Sequence, residues 1–336
     1  MSRRRRRSAR LGITVLACSP AALLLAWPQA LGAQRAPVIA QLLAFRAPLA
    51  LALALLAVIA VLIALRKRSS VAAGLAIILT ATSLTNGAVL VARGSGSTLP
   101  EGDLTVLVWN TQGGATSPDD VARLALSVQA DVVSLPEMDE DAAAEVVRLL
   151  AQQGRAMTPA TTRVIDGSEE PSWIPTSLLV AERMGAYRRD ETAGSTPGLP
   201  SGLWRPVDGT GPAIAAAHPA PPLSESIDDW RAGLRWIAEQ CDSLGPDVIV
   251  AGDLNATVDH LSGLGTGSGL VGACADASVQ AGAGAAGTWP ATVPALLAAP
   301  IDHILVGSAW TVRGVRVFDG RGGSDHRPIV AVLTRR

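Results

Sequence analysis

Apolar residues follow two different patterns along the chain, and the change comes near residue 93. Before it lie three long apolar runs, at about residues 11–33, 47–65 and 71–92, the first interrupted by Pro20 and Pro28. The second and third each approach the roughly 20 residues that cross a bilayer core, and all three are predicted to be transmembrane helices. After residue 93 the apolar runs shorten to strand length and are bounded by polar or turn-forming residues. Strands are predicted at Leu104 to Trp109, Val132 to Pro136, Thr176 to Ala181, Ala213 to Ala217, Val248 to Ala251 and Ile301 to Val306, with a last pair ending in Val330-Ala331-Val332-Leu333. Helical spacing occurs at about 119–129, 140–153 and 226–244, the last with Ile227, Trp230, Leu234 and Ile237 on one side. Residues 94–102 read as a short flexible linker, and 263–287 as a Gly-rich loop. Short strands alternating irregularly with helices over 103–334 predict an α/β fold, a two-sheet α/β sandwich, with a simple doubly wound sheet as the competitor.

Charge sharpens the division. Residues 1–100 contain no acid and 12 of the 28 bases, so the remainder sets 16 bases against 29 acids, a formal charge of −13. That surface does not favour non-specific attraction to long polyanions. Basic residues cluster at Arg3 to Arg7 plus Arg10 and again at Arg66-Lys67-Arg68. Keeping both clusters in the cytoplasm gives three crossings and delivers the chain beyond Arg93 to the extracytoplasmic side. A cleaved signal peptide is the other reading of the first run, and it leaves that final side unchanged.

The rare polar residues fall at the ends of apolar runs. Asn110, Glu137 and His218 each follow one, and Asp253 and Asn255 follow Val248 to Gly252, where Gly252 is expected to allow a tight exit. Asp302-His303 heads Ile304-Leu305-Val306, and Ser324-Asp325-His326 precedes Pro328-Ile329-Val330. Several carboxylates in one pocket repel one another unless a cation sits among them, and oxygen ligands select a hard ion such as Mg²⁺ or Mn²⁺. Neither a G-x-G-x-x-G after a strand nor a P-loop lysine occurs, and there is no H-E-x-x-H. Imidazoles beside such an ion suit phosphoester hydrolysis.

In order, Asn110, Leu135-Pro136-Glu137, His218, Gly252-Asp253-Leu254-Asn255, Ile301-Asp302-His303 and Ser324-Asp325-His326 resemble the motif set of the endonuclease/exonuclease/phosphatase superfamily, whose fold is that of pancreatic deoxyribonuclease. Chains joining three spans to such a domain look like actinobacterial membrane members. The resemblance implies Glu137 as principal metal ligand, aided by Asn110 and Asp325. It implies Asp253 orienting or activating water, and Asn255, Asn110 and His218 contacting substrate phosphate. His326 would contact the scissile phosphate, polarised by Asp302; either Asp253 or the His326/Asp302 pair is the general base. Pro136 departs from the Gln common before the Glu. The domain also lacks obvious insertions for gripping a duplex groove.

The function expected is a membrane-anchored, divalent-metal-dependent phosphoesterase acting on a phosphodiester or phosphomonoester. The alternatives are an extracellular nuclease acting on DNA or RNA and a non-catalytic anchored binding module. The expected partners are the phosphoester and the lipid bilayer. Arg163, Arg205, Arg321 and Arg327 are candidates for a local basic rim. His303 and His260 read as structural, while Trp173 and Trp289-Pro290 read as packing or as the substrate mouth. Cys241 and Cys274 leave free thiols or a disulfide open.

Overall fold

The computed structural model describes residues 3–163, 171–320 and 322–336, and their contacts divide the chain between Arg93 and Gly94 into two compact units. The first unit is helical: α1 (Arg3–Ala26), α2 (Ile39–Ala44), α3 (Arg46–Lys67) and α4 (Ser70–Arg93). Three stretches, Arg5–Ala26, Arg46–Lys67 and Ser70–Arg93, are long and apolar enough to cross a membrane. The first lies earlier than the 11–33 expected. Pro28 opens a short 3-10 turn after Trp27, and a proline disfavours helix in the residue before it, so α1 ends at Ala26 and takes in the basic run instead.

Helices α1 and α4 run parallel. A Cβ on Gly74 would come within 2.9 Å of Thr14 Cβ, and farther along Asn86 Nδ2 donates to Leu25 O at 3.2 Å. Helix α3 returns antiparallel to α4, with Arg46 Nη1 donating to Asn86 Oδ1 at 2.6 Å and Ser83 Oγ to Ala50 O at 2.8 Å. Buried Arg46 also reaches Ala26 O at the C-terminus of α1, where a cation meets the free carbonyls.

The second unit contains β1 (Leu104–Val108), α5 (Pro118–Ser127), β2 (Val132–Pro136), α6 (Glu140–Gln152), β3 (Met157–Thr162), β4 (Thr176–Ala181), β5 (Tyr187–Arg189), β6 (Gly202–Pro206), β7 (Ala213–Ala217), α7 (Ile227–Ser243), β8 (Val248–Asp253), α8 (Val258–Leu261), β9 (Ala275–Asp276), α9 (Ala277–Gln280), β10 (Asp302–Val306), β11 (Trp310–Val317) and β12 (Ile329–Arg335). Two six-stranded sheets result, ordered β11-β12-β1-β2-β4-β3 and β5-β6-β7-β8-β10-β9. This is the α/β sandwich expected. Period-two alternation builds it. Val106 and Val108 point into the inter-sheet core with Ile214, Ile249, Ile304 and Ile329, while Leu107 and Trp109 face outward into a second core with α5 and α6. Helix α5 starts at Ser117, whose side chain accepts from Asp120 N, and α6 at Asp139, which accepts from Ala142 N.

Residues 94–102 are not free. Gly96 N donates to Gly282 O at 2.8 Å, Thr98 N to Val315 O at 3.2 Å, and Ala285 N to Gly94 O at 2.8 Å. The expected Gly-rich loop also contains β9 and α9. Asp276 caps α9 by accepting from Val279 N and holds His303 Nδ1 at 2.6 Å.

Cys241 and Cys274 form a disulfide with Cα atoms 5.4 Å apart, joining α7 to the segment before β9 across 33 residues. In the loop-entropy account, closing a loop of that length stabilises by about 3 to 4 kcal/mol. The Cys241→Ser/Cys274→Ser chain is expected to lose that amount in chemical denaturation, and in the wild type both sulfurs should alkylate only after reduction.

His303 faces acceptors at both nitrogens, Asp276 Oδ2 at Nδ1 and Ala256 O at 2.7 Å from Nε2, so it is held as the imidazolium. Burial opposes that charge, but Asp276 and the Ala256 carbonyl prevail and raise its pKa. A raised folded-state pKa contributes stability in full below the unfolded value of about 6.5, and loses it as pH rises through the folded value. The stability difference between wild type and Asp276→Asn, followed by denaturation against pH, should therefore be largest in mild acid and shrink toward alkaline pH.

Candidate active site

Strand direction gathers the site. The pairs β1/β2 and β7/β8 are both parallel, so Asn110, Glu137, His218 and the Asp253 turn all leave C-terminal strand ends. Strands β10 and β12 run the other way. Asp302 pairs with Asp253 in the β8/β10 ladder, and Ile329 pairs with Val108, which brings the Ser324-Asp325-His326 turn beside Asn110.

Asn110 is the junction between the sheets. Its Nδ2 donates to Glu137 Oε1 at 3.0 Å and to Asp253 Oδ2 at 3.1 Å, while its Oδ1 accepts from Gln112 N at 2.9 Å. The amide oxygen expected to ligate a metal is thus engaged by backbone, and the amide nitrogen bridges two acids. Asp253 is buried, and burial followed by the nearby Asp302 raises its pKa. Glu137 is likewise raised by burial, against the hydrogen bond from Asn110, with Asp253 and Asp325 adding to the rise.

The two histidines differ. His326 lies between carboxylates, Nδ1 2.9 Å from Asp302 Oδ2 and Nε2 3.7 Å from Asp253 Oδ2. Burial works against its charge, but Asp302 and Asp253 outweigh it and push the imidazole up to about 10. His218 is fully enclosed, its Nε2 3.9 Å from Asp253 Oδ2 and 4.0 Å from Glu137 Oε1. Among the described residues its Nδ1 has no hydrogen-bond partner, and burial lowers its pKa to about 4.

Asn255 sits in the left-handed region at φ 47°, its N–H donating to Asp253 Oδ1 at 2.8 Å and its Nδ2 to Pro219 O at 3.1 Å. Asp325 accepts from Trp289 Nε1 at 2.8 Å and lies 4.0 Å from His326 Nε2. All eight residues singled out from the sequence therefore meet at one edge of the sandwich. Asp253, Asp302 and His326 have potential ligand atoms within 4.8 Å of one another. The hydrogen bond already joining His326 to Asp302 makes that trio a proton-holding line rather than a cation cage.

Gly252 does not serve the exit turn. It lies within β8, where a Cβ would meet Ala217 O at 1.8 Å, so the close approach of β7 requires glycine. His260 caps α8 by accepting from Thr257 N at 2.8 Å. The basic rim is not available as expected. Arg163 pairs with Glu140 and Arg205 with Asp190; Arg327 is buried, donating to the carbonyls of Pro290, Ala291 and Val293; Arg321 lies outside the described residues. Trp173 is exposed.

Supporting residues not found from the sequence include Gln112, Ser201, whose Oγ accepts from His218 N at 2.8 Å, and Thr288. Their roles depend on backbone partners remote in the chain, for which no local pattern exists. Trp289 had a signal in its position before a proline, but nothing there pointed to Asp325.

A comparison with curated proteins finds no match. Among solved structures, an endonuclease/exonuclease/phosphatase from Beutenbergia cavernae is 22% identical at a TM-score of 0.50, covering 70% of this chain and 72% of that one. A mannosyl-6-phosphatase from Bacteroides thetaiotaomicron is 15% identical at a TM-score of 0.50, covering 69% and 99%. An endonuclease/exonuclease/phosphatase from Bacteroides vulgatus, 15% identical at a TM-score of 0.50, covers 70% and 100%. At these identities the likeness shows the fold. The model of the Endonuclease/Exonuclease/phosphatase family matches residues 107–326, from β1 to the His326 turn, and the chain belongs to that family.

Proposed function

We propose that the chain is a membrane-anchored, divalent-metal-dependent phosphoesterase with its catalytic domain on the extracytoplasmic side. The observation that carries the reading is the Asn110 amide joining Glu137 to Asp253, with Nε2 of His218 and of His326 within 4.0 Å of those acids. Acids gathered this closely, with Glu137 raised by burial and by its acidic neighbours, fit a hard cation held by Glu137 and Asp325. Mg²⁺ and Mn²⁺ both suit that oxygen donor set. When bound, such an ion supplies neutralisation of phosphate oxygens and stabilisation of the leaving group.

The protein's own groups divide the remaining work. Asp253, its pKa raised by burial and then by Asp302, accepts the proton of the attacking water as the carboxylate. His326, held as imidazolium by Asp302, donates to a non-bridging oxygen and supplies charge. His218 stays neutral and offers an N–H without adding charge, and the free N–H of the Asn255 amide serves the same phosphate.

Two observations support the orientation. The helix directions bring Arg10 and the Arg66-Lys67-Arg68 turn to one end of the helical unit, which the positive-inside rule assigns to the cytoplasm. The Cys241–Cys274 disulfide fits an oxidising compartment. The acidic charge beyond residue 100 favours small or membrane-borne phosphoesters over long polyanions.

Full-length protein in detergent is expected to hydrolyse bis(p-nitrophenyl) phosphate with Mg²⁺ or Mn²⁺. Glu137→Ala or His326→Ala should lower the rate by at least about 10²-fold. Full activity in EDTA would refute the mechanism. A parallel assay on nucleotides, phospholipids and plasmid DNA should rank DNA last; a preference for DNA would select the extracellular nuclease, and metal binding without turnover the binding module. Protease added outside spheroplasts should digest the chain beyond Arg93, whereas protection would reverse the topology.

A further inference from the structure

Residues 288–291 are bonded on both sides to the two segments that carry the catalytic acids and imidazole. On one side Thr288 Oγ1 accepts from Ile301 N and Asp302 N, each at 3.2 Å, and Ala299 N donates to Trp289 O at 2.6 Å. On the other side Arg327 N donates to Thr288 O at 2.8 Å and Ala291 N to Asp325 O at 2.7 Å. The buried Arg327 guanidinium holds the carbonyls of Pro290 and Ala291 at 3.1 and 2.9 Å. The segment is thereby fixed relative to Asp302 and to Asp325-His326-Arg327 together.

One side chain of this strap reaches the reaction centre. Trp289 Nε1 donates to Asp325 Oδ2 at 2.8 Å, and its ring lies tilted against His326 with centroids 6.5 Å apart. The Asp325 side chain is 37% exposed, so without a fixed donor it has room to turn away. With Oδ2 occupied by the indole, Oδ1 is the oxygen turned toward His326 Nε2, at 4.0 Å.

We propose that Trp289 is a positioning residue whose indole N–H fixes the Asp325 carboxylate so that Oδ1 is presented to the divalent ion. The inference rests on the reading of Glu137 and Asp325 as the metal ligands. Trp289 acts through Asp325 and does not itself touch the reacting atoms. Removing the donor should weaken ion binding while leaving turnover of the loaded enzyme largely intact, because Asp253, His218 and His326 are not bonded to the indole nitrogen.

The test is Mn²⁺ binding to full-length protein in detergent, read from the electron paramagnetic resonance signal of free Mn²⁺, with hydrolysis titrated against Mn²⁺ in parallel. Trp289→Phe, which keeps a ring and loses the donor, is expected to raise the Mn²⁺ Kd about 10-fold and to shift the half-saturating Mn²⁺ for hydrolysis by a similar factor, with kcat at saturation within about 2-fold of wild type. Trp289→His, which retains a ring N–H, should recover part of that affinity and gives a second variant should the Phe chain fold poorly. In an Asp325→Asn background the Phe change should cost no further affinity. An unchanged Kd in Trp289→Phe, or an equal loss with and without the Asp325 carboxylate, overturns the role of the indole while leaving the phosphoesterase reading intact. A wild-type chain that shows no saturable Mn²⁺ binding overturns both.

Discussion

Everything at the site depends on two sheets packed face to face with their parallel strand pairs ending at the same edge. The shared core of Val106, Val108, Ile214, Ile249, Ile304 and Ile329 fixes the two sheets against each other by excluding water from both inner faces. A polar bond also crosses between the sheets, Ser134 Oγ donating to Ala251 O at 2.8 Å, and it joins the middle of β2 to β8. A register slip of one residue in either sheet would turn each side chain to the opposite face and separate Asn110 from Asp253. The Asn110 amide can therefore bridge acids from different sheets only because apolar packing has already set their separation.

The same frame explains how two histidines in one cleft reach opposite protonation states. Both are almost fully buried, and burial alone favours the neutral ring. His326 has carboxylates facing both nitrogens and stays charged, whereas among the described residues His218 has no partner at Nδ1 and only distant acids at Nε2. Placement at the ends of different strands, rather than residue type, makes one imidazole a source of positive charge and the other a neutral donor.

Much of this was legible in the chain because buried strands of five or six residues carry their own signal, and the polar residue ending each one is conspicuous against it. The site residues followed from those ends. What escaped lies where burial is incomplete or glycine dominates. Strand β3, Met157–Thr162, includes Pro159 and sits at a sheet edge, where alternation is weak and a proline is tolerated. Strand β5 spans three residues and β9 two, each at or beside an edge and too short to show a period. The 94–102 segment has a linker's composition, yet its backbone finds partners at Gly282 and Val315 that no local pattern announces. Gly252 was visible, but the reason for it was not: a neighbouring strand's carbonyl is a tertiary fact.

The backbone just past the strand ends carries the one conformational cost the site imposes. Gln112, Glu137 and Asn255 all adopt the left-handed region, with φ of 52°, 62° and 47°. Asparagine tolerates that region, but a glutamate there costs of order 1 kcal/mol or more. A strand continuing straight past Pro136 would carry residue 137 beyond the edge of the sheet, whereas the left-handed turn folds its side chain back over that edge toward Asn110 and Asp253. The conformation is held by the groups around it: Thr111 Oγ1 donates to Glu137 O at 2.7 Å, Trp230 Nε1 to Asn255 O at 3.0 Å, and Gln112 N to Asn110 Oδ1 at 2.9 Å. Each bond comes from a residue anchored in a core or in a neighbouring turn, so the rigidity of the sandwich is what keeps the strained turns in place. The strain at Glu137 thus follows from the need to bring acids from two sheets to one point, and it marks where folding stability is exchanged for chemistry.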